Sequence, residues 1–188
     1  MIDVEAIVLG LDAAARPAVQ SAMKRLAETG DTRSKGGLAA LLRDAVGVLL
    51  GHESSFTHAF VESTAPLAED LARKRFVEAA HRARSRFAVE VIRNADGTTT
   101  RHEPPALAPA EGEPGVVIVT VVVARKKEIP DLVPHPDRAA LRAALEDVAR
   151  TGPDDLVAME VIWSPAEDRD RVSVAALETR HPEIRRLA

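Results

Sequence analysis

The chain has 188 residues, a formal net charge of −4 and a sequence pI of about 5.9. Hydrophobic residues make up 46% and aromatics 3%, so a core is expected, built from Ala, Val and Leu, and base-stacking nucleic-acid modules are disfavoured. The absence of Cys excludes disulfides, thiolate metal sites and cysteine nucleophiles.

In chain order, Ile2 to Leu9 reads as a strand that alternates at first and then turns continuously apolar. A helix follows with Pro17 in its first turn and Val19, Met23 and Leu26 at helical spacing; Gly30 ends it. Thr32 and Ser34 are cap candidates for a second helix. Its apolar residues Leu38, Leu41, Leu42, Val46, Leu49 and Leu50 wrap most of the circumference, which marks a central helix. "SSFTHAFVES" reads as a short strand with Phe56, His58, Phe60 and Glu62 on one face.

"LAEDLARKRFVEAAHRARSRF" is the most amphipathic stretch. Phe76, Ala80, Ala83 and Phe87 form one stripe, and Arg75, Arg82 and Arg86 lie nearly opposite. The helix is expected to run to about Asn94; a hairpin turning at Asp96-Gly97 is the alternative. Residues 104–114, rich in Pro and Ala, are expected to form a mobile surface loop. "GVVIVTVVVARKK" is a β-branched run suited to an interior strand. "HPDRAALRAALEDVARTGPDD" is a helix, with Pro136 at its first position and Gly152-Pro153 beyond its end. Leu156 to Trp163 is a strand, the polar "PAEDRDR" a loop, and Ser173 caps a last short helix closed by Pro182.

The order β-α-α-β-α-loop-β-α-β-α gives an α/β fold, with α+β as the alternative. It is expected as one domain over 1–188, with a mixed, mostly aliphatic sheet packed by helices. No run reaches 18 apolar residues and no basic n-region opens the chain, so a cytoplasmic protein without membrane insertion is expected.

Several blocks, taken in order, resemble a known family. They are "LAETGDTRSKGGLAALLRDAVGVLLGH", "RSRF", "GVVIVTVVVA", "DDLVAMEVIWSP" and "HPEIRRL". Together they resemble the uncharacterised family called domain of unknown function 1517, which has cyanobacterial, plastid and other bacterial members. Gly51 and Glu53 stand where that family tends to have Arg and Pro. The N-terminal targeting or membrane segment of many members has no counterpart here, so a thylakoid role is not expected to carry over. The resemblance implies no catalytic residues.

Glu160 is the conspicuous polar residue, a carboxylate inside an apolar strand. Leu156, Ala158, Glu160 and Ile162 share one expected face; Val157, Met159, Val161 and Trp163 share the other, which is the expected main core. An unpaired carboxylate among apolar residues costs several kcal/mol, so Glu160 needs a partner, and Arg84 or Arg86 is the expected one. The leading reading is a structural ion pair. A ligand-binding set of Glu160, Arg84 and Arg86 comes second, and a catalytic Glu160 third.

The basic stripe of Arg75, Arg82 and Arg86 reads first as a solvated helix face, softened by Glu69, Asp70 and Glu78, and second as an anion or acidic-partner site. "HESSFTH" lacks the i, i+4 histidine spacing of zinc-protease helices. "HPD" at His135 reads as a helix start. "GDTRSKGG" lacks phosphate-loop spacing, and no Gly-x-Ser-x-Gly occurs. No cofactor or metal is expected. The functional expectation is a non-enzymatic domain that binds a protein partner or a second copy of itself, with nucleic acid disfavoured. Small-molecule or anion binding at Glu160 and its arginines is the alternative, and an enzyme of unknown class the third.

Overall fold

The computed structural model describes residues 1–85, 90–93, 99–102, 115–126, 128–130, 132–164 and 172–187. The expected loops at 104–114 and 165–171, and Arg86 and Phe87, lie outside them.

The long apolar runs form the middle of a five-stranded sheet. β1 (Asp3–Asp12) sits at its centre, flanked by β5 (Val116–Arg125) and β2 (Phe56–Ser63). β6 (Leu156–Ser164) and the two-residue β7 (Arg185–Arg186) are the edges, giving the order β6-β5-β1-β2-β7. All ten residues of β5 are buried, as its β-branched composition requires of a strand covered on both faces.

The expected α/β class holds. The expected mixed sheet does not, because every pairing is antiparallel. β2 and β5 run the same way but β1 lies between them, and β6 and β7 run the same way at opposite edges, so no two strands of like direction are neighbours.

One face carries the main core. α1 (Arg16–Thr29), α2 (Lys35–Leu50) and α4 (Arg138–Ala149) bring Val19, Met23, Leu42, Val46, Leu49, Leu141, Leu145 and Val148 onto Ile7, Leu9, Leu11, Val119, Val121 and Val123. α2 packs against both α1 and α4, the central place its nearly all-round apolar surface predicts. Ser34 caps it, accepting from Gly37 N–H at 2.9 Å. In α4 the cap is Asp137, which accepts from Ala140 N–H at 2.8 Å; the helix starts at Arg138, so Pro136 precedes the cap instead of opening the first turn.

The opposite face is covered by α3 (Glu69–Ser85) and α5 (Val174–Arg180). Ala72, Ala79, Ala80 and Ala83 of α3 lie on Val4, Ala6, Val122 and Ala124, and the small side chains let the helix approach closely. Leu177 of α5, with Val172 and Ile184, covers Val8, Val116 and Ile118.

α3 stops at Ser85. Glu90–Arg93 is a strand (β3) paired with Thr99–His102 (β4), so the hairpin alternative replaces the expected helix to Asn94. Val91, Ile92, Thr99 and Thr100 are β-branched, and such residues favour an extended pair over a helical turn.

Two bulges change which residues face the core. In β2, Gly10 pairs with His58 and Leu11 with Phe56, leaving Thr57 as an extra residue whose hydroxyl donates to Gly10 C=O at 3.1 Å. Phe56 therefore points into the main core instead of sharing the face of His58, Phe60 and Glu62. In β6, Ala124 pairs with Ala158 and Arg125 with Leu156, so Val157 is the extra residue and is 42% exposed. Leu156 joins the main core and leaves the face of Glu160. Met159, Val161 and Trp163 pack on the main core, as strand alternation predicts.

Candidate functional site

Glu160 lies on the α3 face of the edge strand β6. Ala6 pairs with Glu62 on one side and Val122 on the other, and Val122 pairs with Glu160. The two carboxylates thus end one cross-strand row, Glu62–Ala6–Val122–Glu160, whose ends are about 14 Å apart at the usual strand spacing. The alanines of α3 sit over the middle of that face, and the helix supplies a cation to each end.

Arg84 donates to Glu160 Oε1. Arg75 Nη2 donates to Glu62 Oε2 at 3.1 Å, and Arg82 Nη2 to Glu62 Oε1 at 2.5 Å. The Glu160 side chain is 26% exposed and Arg84 58%, so this pair is in contact with water and not buried. Arg75 and Arg82 of the basic stripe meet at one carboxylate of the sheet, which makes them a fastening of α3 as well as a polar surface. Arg86 lies outside the described residues.

Sequence reasoning missed a second ionic cluster, on the main-core face. Arg125, at the end of β5, is 1% exposed. Its Nη2 is 3.3 Å from Glu5 Oε2 and 2.6 Å from Asp147 Oδ2 on α4, and its Nη1 is 3.4 Å from Thr151 Oγ1. Glu5 pairs with Val123, so Arg125 is its diagonal cross-strand neighbour. Asp3, beside it on the same strand face, accepts from Ile129 N–H at 2.9 Å.

Burial pushes the Glu5 carboxyl up to about 7; Arg125 opposes this and Asp147 adds to it. The signal that could have found Glu5 is the one that found Glu160, an acid between Val4 and Ala6 in a strand built for burial.

His58 is 5% exposed beside Arg186. Burial, helped by Arg186 and opposed by Glu178, holds its pKa below the usual value, so the neutral imidazole is favoured. Its Nδ1 is 3.0 Å from Thr57 Oγ1. Among the described residues no three His, Asp or Glu side chains are grouped to hold a metal ion. A recess lined by Arg16, Val19, Gln20, Val117, Val119 and Trp163 has room for about one water molecule. Among the described residues no helix is long and apolar enough to cross a membrane.

The sheet's two edges differ. β7 is short, and Arg185 and Arg186 are both exposed, the usual protection of an edge. β6 has nine residues, and nothing among the described residues pairs with its outer side.

Two curated relatives span nearly the whole chain. FLUCTUATING-LIGHT-ACCLIMATION protein 1, chloroplastic, of Arabidopsis thaliana is 25% identical over 169 residues, covering 90% of this chain and 43% of that protein. Protein FLAP1 homolog A of Synechocystis sp. is 25% identical over 193 residues, covering 98% of this chain and 56% of the relative. The chain therefore spans about half the length of the curated relatives it matches. No solved structure matches it. The model of the family described as "Protein of unknown function (DUF1517)" matches residues 1–187, and the chain belongs to that family.

Proposed function

We propose that this chain is a non-enzymatic domain that acts by binding protein, with the outer side of β6 as the contact and a second copy of the chain as the occupant. The observation that carries the reading is the outer edge of β6, which none of the described residues pairs. Its backbone groups form a template for a further strand. Ala158, Met159, Val161 and Trp163 remain only half-buried and Val157 is exposed, whereas the neighbouring β5 is buried throughout. A second copy related by a two-fold axis would add its own β6 antiparallel, which continues the pattern of the sheet and closes after two subunits. Pairing β6 to β7 instead would leave most of β6 uncovered, since β7 has two residues.

The alternative, a small-molecule or anion site at Glu160 and Arg84, draws support from the exposure of Arg84; such a ligand would compete with the Glu160 carboxylate for the guanidinium.

The test is light scattering over a concentration series for the wild type and Val157→Lys, which places a charge on the edge without touching the core. A wild-type dimer that Val157→Lys converts to a folded monomer supports the reading. A wild type that stays monomeric at high concentration, or a dimer indifferent to Val157→Lys, rejects the second copy as occupant. Stabilisation of the wild type by inorganic phosphate or citrate, lost in Arg84→Ala, would favour the anion site.

A further inference from the structure

The buried charges of Glu5, Arg125 and Asp147 do not balance. One guanidinium faces two carboxylates, with Glu5 and Arg125 each 1% exposed and the Asp147 side chain 14%. Among the described residues Glu5 Oε1 and Arg125 Nε have no hydrogen-bond partner. An ionised oxygen in that position costs far more than a neutral hydroxyl.

The other polar groups around the cluster are few. β1 contributes Asp3, which accepts from Ile129 N–H. α4 contributes Asp147, and the turn after it contributes Arg150, 62% exposed and 3.7 Å from Asp147 Oδ1, and the hydroxyl of Thr151. On β2 the register partner of Glu5 is the exposed Ser63. β6 presents apolar Leu156 and Met159 to this face, and the buried side chains of α2 are apolar. No second cation in this set is buried with Glu5.

We infer that the Glu5–Arg125–Asp147 cluster is a proton-operated latch between the sheet and the C-terminal turn of α4, closed when Glu5 is protonated and loosened when Glu5 ionises. With Glu5 neutral, Arg125 and Asp147 make a balanced pair. Ionisation of Glu5 sets a second carboxylate charge beside that one guanidinium, on a strand face that also holds the buried Asp3.

Of the cluster's members, Glu5 and Arg125 belong to the two most central strands, whereas Asp147 and Thr151 belong to α4 and its end. The strands are held by full ladders, so the helix turn is the part that yields. Burial places the Glu5 carboxyl near 7, which sets the change in the neutral range. Because that value lies above the ordinary carboxylate value, the folded state holds a proton that the unfolded state has lost. Stability therefore falls as pH rises from the unfolded value to about 7, and is flat above it.

The test has two readouts on the intact chain. Carboxyl carbon NMR follows the titration of Glu5 in the wild type. Hydrogen exchange, corrected for the intrinsic pH effect, follows the amides of α4 at about pH 6 and about pH 8 in the wild type, Glu5→Gln and Asp147→Asn. The expected result is a neutral-range titration of Glu5 and an α4 protection that falls about tenfold in the wild type. Glu5→Gln, which keeps the shape and removes the charge, should hold its protection at both pH values. Asp147→Asn leaves one acid for one guanidinium and should move the change to lower pH. Glu5 titrating with an ordinary carboxylate value overturns the inference. So does an α4 whose protection changes equally in the wild type and Glu5→Gln, or a neutral-range titration with no change in α4.

Discussion

Arg125→Met is the sharpest perturbation of the buried cluster. Methionine is close to the arginine stem in length and fills irregular core space, so the substitution removes charge with little change of packing. It deletes the contacts to Glu5 at 3.3 Å, to Asp147 at 2.6 Å and to Thr151 at 3.4 Å, and leaves two carboxylates facing each other. Removing one partner of a buried pair costs about 3–5 kcal/mol, against a total stability of about 5–15 kcal/mol for a domain.

The loss depends on pH, and its sign is fixed. Arg125 is what holds the Glu5 value down, so in Arg125→Met the carboxyl titrates higher than about 7. The window in which stability declines with rising pH then extends upward, by about 1.4 kcal/mol for each further unit. Urea unfolding followed by circular dichroism at about pH 6 and about pH 8 measures both parts, with the slope m unchanged if the folded state keeps its compactness. The double variant Arg125→Met/Glu5→Gln removes one of the stranded charges and should recover part of the loss at the higher pH. A loss below about 1 kcal/mol at both pH values would refute the view that Arg125 neutralises buried charge. Equal losses at the two pH values would refute the assignment of the titration to Glu5.

The outer ion pairs predict smaller effects. Glu160→Gln should cost about 1 kcal/mol or less in the same urea assay, since the pair is in contact with water; a loss of 3 kcal/mol or more would mean the carboxylate is desolvated in solution. Glu62→Gln should cost more, about 1–2 kcal/mol, because Glu62 is 21% exposed and accepts from two arginines that fasten α3; a loss equal to or below that of Glu160→Gln would contradict the two-ended fastening. Gly10→Ala should cost about 1–3 kcal/mol by thermal denaturation, since the new Cβ would lie 3.0 Å from His58 Cβ and 3.2 Å from Val116 Cγ1; an unchanged midpoint would mean that β1 and β2 separate freely there.

Much of this architecture is written locally. Val116–Arg125 could only be an interior strand, because a run that is apolar at every position but Thr120 and Arg125 needs cover on both faces. The all-round apolar α2 had to be central, and of its two cap candidates, Thr32 and Ser34, it is Ser34 whose side chain accepts from the first free N–H groups. The need of Glu160 for a cation follows from its neighbours alone.

Other features are decided by pairing across the sheet, which local periodicity does not contain. Alternation puts Phe56 with His58 and Leu156 with Glu160, but extra residues at Thr57 and Val157 invert the parity and send both apolar side chains to the main core. A bulge arises where two strands of different length must stay in register, and neither strand records its partner. Arg75 and Arg82 read as a solvated stripe because helix geometry specifies an angle and not a neighbour; the row from Glu62 to Glu160 supplies the neighbour. Glu5 stands out in sequence as an acid in an apolar strand, but Arg125, 120 residues on, and Asp147, 22 beyond it, are ordinary charges where they stand. What binds them is that three elements meet in a space that excludes water, so their charges must answer to one another. Only the tertiary structure creates that space.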